Sequence, residues 1–206
     1  SFSYSSQEAN AQGCAISADG TKMFVVGVAD TVFQYDLSTA YDASTAIYNN
    51  KSFNPTEDNN NLYNVTFNPA GTKMFILTST SSGKLFEYTL STAFDLSSTI
   101  TYTNNNYIVG NSCRGIEFSA DGTRMFAVCA TTDDIKQFNL STGFDLSTIS
   151  TTSNATSFSS QTTNPGGIAL NAAGTKVFIA DGDLTRNIYE YSASTGWDAS
   201  TISYSA

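Results

Sequence analysis

Ser17-Ala18-Asp19-Gly20-Thr21-Lys22-Met23-Phe24 returns as Asn68-Pro69-Ala70-Gly71-Thr72-Lys73-Met74-Phe75, as Ser119-Ala120-Asp121-Gly122-Thr123-Arg124-Met125-Phe126 and as Asn171-Ala172-Ala173-Gly174-Thr175-Lys176-Val177-Phe178. The glycines of the four copies fall 51, 51 and 52 residues apart, a period typical of propellers and solenoids. A second marker follows each copy: Phe33-Gln34-Tyr35, Phe86-Glu87-Tyr88, Lys136-Gln137-Phe138 and Tyr189-Glu190-Tyr191. Each then leads into a turn ending in an aromatic residue and an aspartate, at Tyr41-Asp42, Phe94-Asp95, Phe144-Asp145 and Trp197-Asp198.

Within a unit, alternating apolar residues (Cys14 and Ile16, Val65 and Phe67, Ile116 and Phe118, Ile168 and Leu170) predict a first strand that ends at the glycine turn. A continuous apolar run such as Met23-Phe24-Val25-Val26 predicts a second strand packed on both faces. The second marker supplies a third strand. A weaker fourth is expected at Ala46-Ile47-Tyr48, Ile100-Thr101-Tyr102, Ile149-Ser150 and Ile202-Ser203-Tyr204. Falling hydrophobicity from first to fourth strand suits a blade whose outer strand meets solvent. The expected fold is all-β: a four-bladed β-propeller with four antiparallel strands per blade, in one domain over residues 1–206.

The ends of the chain carry the same phase. Ser1-Phe2-Ser3-Tyr4-Ser5-Ser6-Gln7 is similar to Ser157-Phe158-Ser159-Ser160-Gln161, and joining Ala206 to Ser1 would place Gly174 and Gly20 52 residues apart. The two termini are therefore expected to complete one blade. A half-ring that dimerises into eight blades would show the same phasing.

Composition narrows the function. Nine basic residues against eighteen acidic give a net charge of -9, which disfavours nucleic acid and anionic membranes as partners. No run approaches the roughly 20 apolar residues of a membrane-spanning helix. Low charge and abundant Ser, Thr and Asn suit an extracellular, cell-surface or virion location.

The chain has no histidine, which removes a Ser-His-acid triad and the usual near-neutral base. The three cysteines form no close zinc pattern. Asp181-Gly182-Asp183 offers oxygen ligands for calcium, yet lacks the longer acidic loop of a calcium hand; the expected cofactor is none, with calcium the one weak candidate. The carboxylates Glu8, Glu57, Glu87, Glu117 and Glu190 leave glycosidase chemistry open, since two flanking carboxylates suffice for it. Asp42, Asp95, Asp145 and Asp198 read as turn caps, and Lys22, Lys73, Arg124 and Lys176 as stems covering apolar blade edges. Cys14, aligned with Val65, Ile116 and Ile168, is expected to be buried. A hairpin turn at Asp121-Gly122 sets Cys113 opposite Ala130 and Arg114 opposite Cys129, one step from direct opposition; a bulge would bring the Cys113 and Cys129 sulfurs together.

Comparison of the four units separates scaffold from variable loops. The last residue of the second marker follows the turn glycine by 15, 17, 16 and 17 positions, so the second-to-third strand loop varies, as do the joins between units. Both loop classes emerge on one face of a propeller, a place for a ligand surface on a uniform scaffold. The candidate polar contacts there are Arg114, Asp133, Asp134, Asp181, Asp183 and Arg186, with Tyr63 and Tyr107 as stacking residues.

The unit resembles the tandem Asp-Gly-Thr-Lys repeats of propeller-like proteins, including bacterial and phage surface proteins, through Ser17 to Phe24 and Ser119 to Phe126. That resemblance implies a surface recognition role without naming a substrate. The expected function is a non-catalytic recognition module that binds a glycan or protein surface through loops on one face. The alternatives are a structural or self-assembling domain of a virion or cell-surface fibre, hence a homo-oligomer, and a glycoside-active enzyme.

Overall fold

The computed structural model describes residues 1–57, 61–78, 83–150, 155–182 and 186–205. Four sheets account for the repeat. The first blade runs β1 (Ala11–Ile16), β2 (Lys22–Gly27), β3 (Val32–Leu37), β4 (Ala46–Phe53), and the second β5 (Leu62–Phe67), β6 (Lys73–Thr78), β7 (Lys84–Leu90), β8 (Ile100–Ile108). The third runs β9 (Cys113–Phe118), β10 (Arg124–Cys129), β11 (Asp134–Leu140), with an outer strand in two pieces, β12 (Ile149–Ser150) and β13 (Ala155–Ser157). The fourth is β14 (Pro165–Leu170), β15 (Lys176–Asp181), β16 (Ile188–Ala193), β17 (Ile202–Tyr204). The strands pair antiparallel in chain order, and the class is a four-bladed β-propeller.

The chain forms two compact units, Ser1–Thr80 with Lys84–Tyr107, and Ser81–Gly83 with Ile108–Ala206; each holds two blades. In the first unit Phe24, Val26 and Val32 of the first blade pack on Val65, Met74 and Ile76 of the second. In the second unit Phe126, Val128 and Ile135 pack on Val177, Ile179 and Tyr191. Each such side chain contributes roughly 1.5–3 kcal/mol of burial. The joints also share a polar contact: the Gln34 amide oxygen accepts from Leu96 N at 2.8 Å, and that of Gln137 accepts from Ala199 N at 2.8 Å.

The glycine turns are structural. In the first blade Asp19 Oδ1 accepts from Ser17 Oγ at 2.6 Å and from Thr21 N at 3.0 Å, and those bonds draw its carboxyl down to about 2. Asp121 repeats the arrangement with Ser119 and Thr123. Where the aspartate is missing, an asparagine two residues earlier takes over: Asn68 Oδ1 accepts from Lys73 N at 2.9 Å and Asn171 Oδ1 from Lys176 N at 3.0 Å. Beneath each turn lies the aromatic residue of the later turn. A Cβ on Gly122 would lie 2.2 Å from the Phe144 ring, and the glycine φ is +70°. Asp42, Asp95, Asp145 and Asp198 cap the turns that follow by accepting from Ser44, Ser97, Ser147 and Ser200 N at 2.9 to 3.0 Å.

The lysine row is consumed within its own blades, in ion pairs Lys22–Asp36 at 3.2 Å, Lys73–Glu87 at 2.7 Å and Lys176–Glu190 at 2.6 Å. Arg124 instead donates to the Trp197 carbonyl at 2.6 Å.

Three expectations change. The outer strands β4 and β8 run to Phe53 and Ile108, well past the short stretches expected at Ala46-Ile47-Tyr48 and Ile100-Thr101-Tyr102. Cys14 is exposed, because its burial depends on what lies beside the blade rather than on the apolar pattern of its strand. The ten N-terminal residues enter no sheet; Phe2 meets the Tyr35 ring edge-on at 4.8 Å, and Gln7 accepts from Tyr35 OH at 3.4 Å. The fourth blade takes its outer strand, β17, from its own sequence.

Candidate ligand-binding site

The four hairpins share one irregularity. The first strand of every blade carries an extra residue near its start, opposite the end of the second strand: Gln12, Tyr63, Arg114 and Gly166. Such a bulge bends the strand and re-aims the side chain that it expels from the ladder. It falls at a position where the four otherwise uniform units each carry a different residue.

Within the first unit the bulged strands lie side by side. A Cβ on Gly13 would stand 2.6 Å from the Tyr63 carbonyl oxygen, so the glycine after Gln12 is what lets the two strands approach. In the second unit a Cβ on Gly115, next to Arg114, would lie 2.9 Å from Ile168 N. Gln12 and Tyr63 in one unit, and Arg114 in the other, thus sit on closely packed first strands, half-buried.

The bulge explains the disulfide. The turn register pairs Phe118 with Met125, as the sequence predicts, and the extra residue Arg114 moves Cys113 into direct opposition to Cys129. Their sulfurs are bonded. Lys136 joins this cluster: its Nζ lies 2.7 Å from where a Gly110 Cβ would stand, and the Cys113 Sγ 3.3 Å from the same point.

The second-to-third strand loops end on a left-handed residue, Asp30, Gly83, Asp133 and Arg186 in turn, with φ between 49° and 53°. Asp133 and Arg186 thus hold matching backbone positions. Asp133 Oδ1 is buried with no hydrogen-bond partner among the described residues, as are Asp30 Oδ1 and Asn64 Oδ1 in the first unit. A buried acceptor calls for a donor, and ligand hydroxyls and water supply one.

The other candidates are placed as follows. Asp134 opens β11 opposite Cys129 and accepts from Thr132 Oγ1 at 2.5 Å. Asp181 ends β15 and accepts from Thr162 Oγ1 at 2.7 Å, so it secures the preceding segment. Arg186 is exposed, and Asp183 lies outside the described residues. Tyr107 sits on β8, the outer strand, while Tyr63 sits on β5, the first strand of the same sheet. The two candidate stacking residues therefore belong to opposite edges of one sheet. Burial raises the Tyr107 hydroxyl.

Sequence reasoning passed over Gln12 and Lys136. Lys136 was visible as the one departure from Phe33, Phe86 and Tyr189 in the second marker. Glu117, one of the carboxylates that leave glycosidase chemistry open, lies on β9, where burial pushes its carboxyl up to about 7. Among the described residues no group of three or more acidic or cysteine side chains is arranged to hold a metal, and no helix is long and apolar enough to cross a membrane.

The architecture defines a protein of the β-propeller class. No family model matches the chain, and no curated protein matches it. Among solved structures it is similar to a protein of unknown function from Desulfotomaculum acetoxidans, at 16% identity and TM-score 0.60, covering 95% of this chain and 55% of that one. It is also similar to a candidate 6-phosphogluconolactonase from Bacteroides fragilis, at 13% identity and TM-score 0.62, covering 95% and 52%. A periplasmic gluconolactonase of Pseudomonas aeruginosa aligns at 15% identity and TM-score 0.58, again over 95% and 52%. These likenesses are of fold. The chain spans about half the length of the structures it matches.

Proposed function

We propose that this chain is a carbohydrate-recognition propeller acting outside the cytoplasm, which binds a glycan without altering its covalent bonds. The observation that carries this reading is the contrast between a repeated scaffold and an unrepeated set of side chains at the bulges. In the first unit Gln12 and Tyr63 occupy that backbone position, with buried Oδ1 atoms at Asp30 and Asn64, and in the second unit Arg114 occupies it and Asp133 adds a buried carboxylate oxygen in need of a donor. Amide, guanidinium and carboxylate groups accept from and donate to sugar hydroxyls, and an aromatic ring supports a sugar face. The acidic surface suits a neutral or basic ligand better than an anionic one.

A glycan array with the intact chain tests the reading. Binding to a defined sugar class that falls at least tenfold in Arg114→Ala or in Tyr63→Ala, with unchanged thermal unfolding, supports it. No binding to any glycan, or binding indifferent to both substitutions, removes it.

A second reading is hydrolysis of a sugar lactone. It is favoured by the lactonase descriptions of the Bacteroides and Pseudomonas neighbours and by Glu117. A carboxyl held near neutrality is suited to general acid-base work. Turnover of gluconolactone or its 6-phosphate that disappears in Glu117→Gln would put this reading first.

A further inference from the structure

The third blade departs from the others at two places, and the two lie together. Its first and second strands are joined by the Cys113–Cys129 bond, and its third strand carries Lys136 where the others carry Phe33, Phe86 and Tyr189. The register of β10 and β11 sets Lys136 opposite Ala127 and Asp134 opposite Cys129, so Lys136 and Cys129 project from one face of the sheet. Gly110 lies against that face. A Cβ on it would stand 2.7 Å from Lys136 Nζ, 3.3 Å from Cys113 Sγ and 3.6 Å from Cys129 Sγ. The ammonium is thus no more than about 6 Å from the Cys113 sulfur, within the range over which a cation favours an ionised neighbour.

While the sulfurs are bonded, that cation has no anion to meet. The ion pairs among the described residues use Lys22, Lys51, Lys73 and Lys176, and none uses Lys136. Reduction by a small thiol such as glutathione changes the balance. Two thiol molecules are oxidised to their own disulfide, the Cys113–Cys129 bond takes up the two electrons, and each cysteine sulfur gains a proton. One of these protons then leaves to solvent, and the Cys113 thiolate remains beside Lys136. A cation that stabilises a thiolate stabilises the reduced state and makes the disulfide easier to open. Asp134, on the same face and opposite Cys129, acts in the other direction, since a like charge disfavours a thiolate.

The bond also sits between the two ligand groups of this unit. Cys113 immediately precedes the bulged Arg114, and Cys129 ends the strand whose loop runs to the left-handed Asp133. We propose that Cys113–Cys129 is a reducible clasp on the Arg114 and Asp133 segments, opened by small thiols, with Lys136 as the positioning residue that favours the open form. Opening the clasp frees both segments and weakens their hold on ligand. The effect on ligand rests on the carbohydrate site proposed above, whereas the redox chemistry stands on the clasp alone.

Equilibration of the chain in graded mixtures of reduced and oxidised glutathione at neutral pH tests this, with free thiols at Cys113 and Cys129 trapped by alkylation and counted by peptide mass. Lys136→Gln should require a reducing ratio about fivefold higher or more for half-reduction, Lys136→Arg should stay within about twofold of wild type, and Asp134→Asn should lower the ratio. The reduced chain should keep its circular dichroism and lose at least about tenfold in glycan binding, a change of about 1.4 kcal/mol or more. A ratio that Lys136→Gln leaves within about twofold of wild type, or reduction that unfolds the whole chain, overturns the proposal. Glycan binding that persists undiminished in the reduced chain overturns the clasp's hold on ligand. Absence of glycan binding by the oxidised chain removes the carbohydrate reading instead, and the thiol equilibrium then decides the redox chemistry by itself.

Discussion

The carboxylate of Glu8 fills the space that a side chain at residue 27 would take: a Cβ on Gly27 would stand 2.6 Å from Glu8 Cδ. Fully buried, Glu8 accepts from Asn10 N at 2.8 Å and from Ala29 N at 3.0 Å, tying the entry of β1 to the loop after β2. The third blade closes the same gap with the Cys113–Cys129 bond, and the fourth with Thr162 donating to Asp181. Glu8→Ala leaves two backbone donors without their acceptor and should cost about 2–4 kcal/mol, read as a lower urea midpoint with an unchanged slope.

Reduction of the disulfide should destabilise by about 3 kcal/mol, the value for closing a loop of this size, since 16 residues separate its ends. Cys113→Ala with Cys129→Ala should reproduce the loss and become insensitive to reductant. Cys14→Ser, at an exposed site, should leave the midpoint within about 0.5 kcal/mol of wild type.

Gly122→Ala combines a left-handed backbone with a methyl group driven into the Phe144 ring. Conformational cost and overpacking together should reach about 2–4 kcal/mol. Gly167→Ala, with nothing within 4 Å of the added carbon, should stay within about 0.5 kcal/mol of wild type. Equal losses at the two sites in thermal unfolding would contradict the assigned role of the ring.

Stability should depend on pH at both ends. The Glu117 carboxyl lies near 7 in the folded chain, raised by burial from an ordinary 4.5. The folded state therefore binds its proton more tightly. Its contribution is complete below about 4.5 and is lost as pH rises through about 7. Glu117→Gln should flatten that decline and stabilise the chain above pH 7. In the opposite sense Asp95, drawn down to about 2 chiefly by Ser97, contributes above the ordinary carboxylate range and is lost as pH falls through about 2.

The repeat made the blades legible because strand pattern and turn chemistry are local. Even the pairing of Phe118 with Met125 follows from counting outward from Asp121-Gly122. Only the third-blade bulge was legible, as the step that would join Cys113 to Cys129; in the other blades the residue after the bulge varies among Gly13, Asn64 and Gly167, and no pair of cysteines marks the shift. Cys14 shows a second boundary. Its strand has the same apolar alternation as its counterparts, yet its exposure is set by the neighbour beyond the blade. Tyr63 and Arg114 fall on first strands at the bulges, whereas the outer-strand position of Tyr107 depends on β8 running past Tyr102, which the short fourth-strand pattern does not show.

Because each sheet is cut from one uninterrupted run of sequence, gaining or losing a repeat re-pairs no ladder. Blade number is then a trait that in-frame recombination changes one step at a time, and the only surfaces that feel the change are the two at the join. Selection on such a chain acts on how those surfaces fit, while each blade keeps its own internal register.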